Sequence, residues 1–308
     1  VIFCMITLLI IYAGVRNGIE RVSKFMMPIL VILSVIIAIY SVTRPGAMAG
    51  VKYFLVPNPK NFSWMTVVTA MGQMFYSLSI SMGILITFGS YMKKDIPIED
   101  STRNVEIFDT AIAIMAGLMI IPAVFAFSGG DPETLQAGPS LMFITIPKVF
   151  DSMGLGTAIG IVFFLLVLFA AITSSIALTE SAVSTFQDEL HWNRKKATLI
   201  VGVIMIALGT LSSLGYGPLA GVTIIGMQFL DFFDFLTNSV MMPIAAIATC
   251  LVVSREIGTN GIETEVLHGE SNFRRKGIFN FMVKYLCPIF AAIILISSVA
   301  NAFGWISM

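Results

Sequence analysis

Gly72-Gln73-Met74-Phe75-Tyr76-Ser77-Leu78-Ser79-Ile80-Ser81-Met82-Gly83 lies in the middle of an apolar segment that runs from about residue 64 to 91. Small and hydroxyl residues crowd a stretch that is otherwise long and apolar enough to cross a bilayer. The hydrocarbon core offers no water to a broken backbone. An interruption at that depth persists only where protein or a filled cavity satisfies the freed N–H and C=O groups, and such a break marks a binding site. The competing explanation is close helix packing through small residues. It accounts for Gly or Ser on one helical face, whereas Ser77, Ser79 and Ser81 do not share a face.

The rest of the chain has the same character. Of 308 residues, 57% are hydrophobic and 12% charged, too little polar surface for a soluble domain. The expected fold class is all-α and polytopic. Apolar segments lie at about 1 to 13, 22 to 43, 64 to 91, 105 to 127, 156 to 187, 197 to 214, 222 to 253 and 278 to 300. The first would rise only about 20 Å as a helix, whereas a span needs about 20 residues, so the amino terminus is expected to be cut through a helix. If the connections alternate sides, one side holds 14 of the 18 basic residues, among them Lys93, Lys94, Arg103, Arg194, Arg274, Arg275 and Lys276. The positive-inside rule places that side in the cytoplasm. The basic residues are too scattered to make a nucleic-acid face. Cys4, Cys250 and Cys287 sit in apolar stretches without metal-type spacing and read as packing thiols.

The connection from Ser128 to Gly154 carries an apolar run, Leu141 to Phe150, that reads as a helix within either a lid or a packed surface loop. Arg255 to Lys276 reads as a solvated connector. A second polar knot, Ala170 to Glu180, holds Thr173 and Ser174. With a carbonyl such as that of Ala170, these could form an all-oxygen shell for a hard monovalent cation; hydroxyls that bond back to their own helix are the alternative. Asp109 sits inside the fourth apolar segment, where an ionised carboxylate is costly unless paired and is a functional-site candidate by default. Glu180 reads as a helix-bridging acceptor or a proton-sensitive group, and Asp234 as an outer gate or a water-boundary residue. There is no Gly-x-Ser-x-Gly elbow, no His-Glu-x-x-His helix and no phosphate-cradling loop, so no enzyme is predicted and no catalytic residue is assigned.

Gly72-Gln73, Phe75 to Ser79, Gly83 and Ser90-Tyr91-Met92-Lys93-Lys94-Asp95 resemble the broken sixth helix and its exit in the neurotransmitter:sodium symporter family, bacterial branch, whose prototype is the leucine transporter. Ile172 to Ala177 is similar to that family's eighth helix. Gly18-Ile19-Glu20-Arg21, Gly138-Pro139-Ser140, Phe143 to Pro147 and Gln187 to Leu190 follow in the family's order.

The resemblance implies a truncated leucine-transporter-type inverted-repeat fold in one transmembrane domain, residues 1–308. Its eight spans match helices four to eleven. Residues 1–43 would be the remnant of the first repeat, 64–253 the complete second repeat and 278–300 an additional helix. It further implies sodium-coupled symport of an amino acid, with an apolar side chain, across the plasma membrane, or else a channel or sensor of the same fold or a non-transporting fragment. Ser77 and Asp109 would serve one Na+ site and Ala170, Thr173 and Ser174 another, each incomplete without the family's first helix. Tyr76, Ser79, Met82, Leu85, Ser175 and Leu178 would line the substrate pocket, with Asp234 at the outer gate. Gly18 and Pro28, separated by nine residues, would form a hinge, since Gly weakens a helix and Pro removes a hydrogen bond. Animal members carry a neutral residue where Asp109 stands and use chloride. A fixed carboxylate implies coupling without chloride. Ser81, where relatives with bulky aromatic substrates often have glycine, implies less room at the break.

Overall fold

The computed structural model describes residues 1–129, 138–152 and 154–305. Its helices are α1 (Ile2–Tyr12), α2 (Arg21–Val42), α3 (Ala47–Leu55), α4 (Trp64–Ser77), α5 (Ile84–Ser90), α6 (Ile98–Ser128), α7 (Ile146–Asp151) and α8 (Gly156–Leu190). They continue as α9 (Arg194–Gly215), α10 (Phe229–Asp234), α11 (Met242–Leu251), α12 (Gly258–Gly269), α13 (Lys276–Phe281) and α14 (Cys287–Ala302). The described residues contain no β-strand, only one bridged pair, Ile224 and Met227. Among them six helical stretches are long and apolar enough to cross a membrane: Val15–Val42, Ile98–Ser128, Gly156–Leu190, Arg194–Gly215, Phe229–Gly269 and Lys276–Ala302. Together with α1 and the α4–α5 pair they account for every apolar segment expected from the sequence. Leu199 and Val203 on α9 and Ile36 and Ile39 on α2 point outward, as they do when lipid rather than water is the solvent.

The chain divides into two compact units. Val1–Tyr12, Ser63–Glu106 and Ala177–Met308 form the first, and Ala13–Phe62 and Ile107–Ile176 the second. In the second unit, Ile37 of α2, Met119 and Val124 of α6, Val149 and Phe150 of α7, and Phe163 of α8 make the core. Phe150 and Phe163 meet edge to face, with ring centroids 5.3 Å apart, a favoured aromatic geometry. Lipid tails are as apolar as these side chains, so close fit supplies the attraction. At Gly50 of α3 an added Cβ would lie 2.8 Å from the Pro122 Cα and 3.0 Å from the Ile121 carbonyl oxygen, and only glycine permits that approach. The apolar run in the long connection is helical as expected, a π-turn at Leu141–Thr145 leading into α7. Its Ile146, Val149 and Phe150 are buried in this core. Residues 130–137 of the same connection lie outside the described residues.

In the first unit, α1 packs on α9, α11 on α14, and α14 on α4. The connector from Arg255 to Lys276 differs from the expected solvated loop. Residues 258–269 form α12, anchored by Val266, which is 4% exposed. Glu270 accepts a hydrogen bond from the Glu99 amide at 2.7 Å, and Arg275 donates to Glu106 at 3.0 Å. Polar composition concealed a helix held by charged groups distant in sequence. The Glu106 carboxylate beside Arg275 raises that guanidinium's pKa further.

Candidate functional site

The break is where the sequence places it. Ser63 caps α4 through a reciprocal pair of bonds: its Oγ accepts from the Thr66 amide at 3.2 Å, and its own amide donates to Thr66 Oγ1 at 3.3 Å. This fixes the start of the helix. After Ser77 the helix stops. Ser79 and Ser81 adopt φ of 54° and 64°, and Gly83 a φ of 78° before α5 begins. Left-handed backbone at two non-glycine residues costs on the order of 1–3 kcal/mol each and concentrates at functional sites. The broken ladder is partly replaced: the Leu78 amide donates to the Met74 carbonyl at 3.1 Å and the Ile80 amide to the Phe75 carbonyl at 3.1 Å. The Met82 carbonyl accepts from Ser181 Oγ of α8 at 3.4 Å. An added Cβ at Gly83 would lie 2.6 Å from that same Oγ, so Ser181 supports the break. Nothing in the sequence around Ser181 signals that role beyond a hydroxyl at a position otherwise suited to helix packing.

The assigned residues fall in both units. Tyr76, Ser77, Ser79, Met82, Leu85, Leu178 and Asp234 belong to the first, and Gly18, Pro28, Asp109, Ala170, Thr173, Ser174 and Ser175 to the second. Within the first, Tyr76 and Asp234 line one cavity of about 570 Å³, together with Gly72, Gln73 and Asn238. The Asn238 amide donates to Asp234 Oδ1 at 2.5 Å, one helical turn away, which orients the carboxylate. Leu85 lines a different cavity, with Phe88 and Lys93. Leu178 is exposed.

Within the second unit, Thr173 Oγ1 lies 3.0 Å from the Ala170 carbonyl oxygen and 3.1 Å from that of Phe169. The hydroxyl bonds back to its own helix, the alternative raised for this knot. Its lone pairs stay available beside the Ala170 oxygen, so the two atoms are close enough to share one hard cation. Ser174 is exposed and Ser175 half-buried. Asp109 is half-buried in α6. Gly18 is buried in a π-turn, Val15–Glu20, and Pro28 lies inside the continuous helix α2.

Glu180 proves to be the helix-bridging acceptor. Its side chain is 0% exposed and is held by both arms of Arg194, at 3.0 Å and 2.6 Å, and by the Tyr91 hydroxyl at 2.8 Å. The same guanidinium donates to the Ile11 carbonyl, through Nε at 3.0 Å and Nη2 at 2.8 Å. That carbonyl belongs to the last turn of α1, where no intrahelical donor is available. Arg194 and Tyr91 were missed from sequence, because partners separated by 14 and 89 residues leave no local pattern.

A family model described as "Sodium:neurotransmitter symporter family" matches residues 1–304. YhdH of Bacillus subtilis, an uncharacterized sodium-dependent transporter, is 33% identical over 298 residues, covering 96% of this chain and 65% of YhdH. An uncharacterized sodium-dependent transporter of Haemophilus influenzae is 32% identical over 298 residues, covering 96% of this chain and 64% of that protein. The chain thus spans a little under two-thirds of the length of either. The crystal structure of MhsT in complex with L-phenylalanine superposes with a TM-score of 0.83 at 36% identity, over 96% of this chain and 66% of MhsT.

Proposed function

Because the chain belongs to the sodium:neurotransmitter symporter family, with the all-helical leucine-transporter-type fold expected of a multi-pass membrane protein, we propose that the protein carries an amino acid across the plasma membrane by sodium-coupled symport. The observation that carries this reading is the break between α4 and α5, where Ser79 and Ser81 hold left-handed backbone between two apolar helical segments. Unwound backbone at membrane depth turns carbonyls and amides toward a bound solute in place of their own helix. L-phenylalanine in MhsT supports a substrate with an apolar side chain.

The site residues named from the resemblance belong to the same proposal, and so does its division into residues 1–43, 64–253 and 278–300. Tyr76 closes over the substrate from outside, and Ser79, Met82, Leu85, Ser175 and Leu178 line the pocket. Ala170, Thr173 and Ser174 hold one sodium ion and Ser77 and Asp109 another, each shell being completed by residues of the family's first helix. Sodium moving inward supplies about 2.3 kcal/mol per charge for each 100 mV of potential, before concentration terms. The Asp109 carboxylate balances that charge without chloride. Rocking of the bundle that contains the broken helix then exposes the site to each side in turn, with Gly18 and Pro28 as the hinge.

The test is amino-acid uptake by the full-length protein in proteoliposomes. Replacing sodium with choline abolishes uptake, and replacing chloride with gluconate leaves it unchanged; uptake indifferent to choline would sink the symport reading and favour a channel or sensor. Thr173→Val raises the sodium concentration for half-maximal uptake roughly tenfold or more.

A further inference from the structure

A second cavity of the first unit, about 540 Å³, opens between α5, the start of α6 and α12. That volume is in the range of small-molecule sites. Phe88, Met92, Ile96 and Val105 give it apolar walls, and Gly89 leaves one wall bare. Three charged side chains line it: Lys93 and Lys94 on the α5–α6 connection, and Glu265 on α12. Several neighbouring charges are already paired. Arg275 bridges Glu99 at 3.8 Å and Glu106 at 3.0 Å, and Lys276 meets Glu263 at 2.5 Å. Among the described residues Lys93, Lys94 and Glu265 take part in no ion pair.

The cavity therefore combines an apolar wall with a net charge of one positive unit, two lysines against one carboxylate. Lys93 and Lys94 also belong to the basic set that the positive-inside rule assigns to the cytoplasmic face, where anionic headgroups attract lysines. A zwitterionic headgroup leaves one lysine unbalanced. A doubly charged phosphomonoester brings excess negative charge toward Glu265. A headgroup with a single negative charge and free hydroxyls meets all three side chains, its hydroxyls donating to the carboxylate.

We propose that this cavity binds one phosphatidylglycerol of the cytoplasmic leaflet. The phosphodiester rests on Lys93 and Lys94, the glycerol hydroxyls donate to Glu265, and an acyl chain lies along Phe88, Met92 and Val105. Leu85, named above for the substrate pocket, also borders this cavity; the lipid assignment rests on Lys93, Lys94, Glu265 and the apolar wall, not on what the protein transports.

The experiment is native mass spectrometry of the full-length protein in a nonionic detergent, titrated separately with phosphatidylglycerol, phosphatidylcholine, phosphatidylethanolamine, phosphatidic acid and free glycerol phosphate. Phosphatidylglycerol is expected to bind most tightly. Lys93→Gln and Lys94→Gln each weaken it about fivefold, and the double variant no longer distinguishes it from phosphatidylcholine. Glu265→Gln removes the preference over phosphatidic acid. Gly89→Leu fills the cavity with both lysines intact and displaces the lipid, so the proposal remains open to refutation if the lysine variants do not fold. Equal retention of phosphatidylglycerol and either zwitterionic lipid would overturn it, as would undiminished binding to the double lysine variant or to Gly89→Leu. Free glycerol phosphate binding as tightly as the lipid would instead assign the cavity to a soluble phosphate and refute the lipid.

Discussion

Two polar places in the first unit meet the low dielectric in opposite ways. Around Glu180, the acceptors are closed by Arg194 and Tyr91 at 2.6 to 3.0 Å, on ordinary helical backbone. At the break, Ser79 and Ser81 hold strained backbone, and the side-chain contacts that support it are long: Ser181 Oγ to the Met82 carbonyl at 3.4 Å and Thr87 Oγ1 to Ser181 Oγ at 3.5 Å. A buried polar group is expensive in both settings. A closed network fastens helices together, whereas a loosely supported one keeps capacity for a ligand. Satisfaction of the hydrogen bonds, not polarity, separates a staple from a site.

That distinction predicts an order of effects. Glu180→Ala leaves the Arg194 guanidinium half-buried without its partner and is expected to cost about 3–5 kcal/mol. In thermal unfolding of the purified full-length protein this lowers Tm by roughly 10 °C. The double variant with Arg194→Ala costs less than the two single effects together, and full additivity would break the comparison at its closed end. Gly83→Ala comes next. It imposes a Cβ at φ of 78° and a 2.6 Å contact with Ser181 Oγ, for about 1–2 kcal/mol from the backbone alone, with a disproportionate loss of uptake. Adding Ser181→Ala relieves the contact but not the backbone cost. Recovery of full stability in that pair would show that the left-handed turn is not under strain. Asp234→Asn is the smallest in stability, within about 0.5 kcal/mol for an exposed residue, while uptake falls severalfold. A Tm loss as large as that of Glu180→Ala would place Asp234 among the staples.

The helices and the break were legible because both are local. A bilayer imposes a run of about 20 apolar residues per span, and serines off one helical face inside such a run betray lost periodicity. Glu180 was legible as an acceptor, but not its partners. Tyr91 and Arg194 lie on other elements, and Arg194, the first of a basic run with Lys195 and Lys196, reads as one more cytoplasmic cation. The α12 helix was hidden for the same reason, since its polar sequence is held by one buried valine, Val266, and by bonds linking the flanking segment to Glu99 and Glu106 on α6.

The sequence by itself determined that this chain crosses a membrane several times and breaks one helix between Ser77 and Ile84, because hydropathy and side-chain periodicity are properties of contiguous residues. Tertiary structure alone decided which polar groups are closed and which stay available. It drew Arg194 onto both Glu180 and the Ile11 carbonyl, set Tyr76 and Asp234 around one cavity, and left Lys93, Lys94 and Glu265 unpaired beside an apolar one. Hydrogen bonds and ion pairs act over a few ångströms of space, and a distance along the chain carries no record of them.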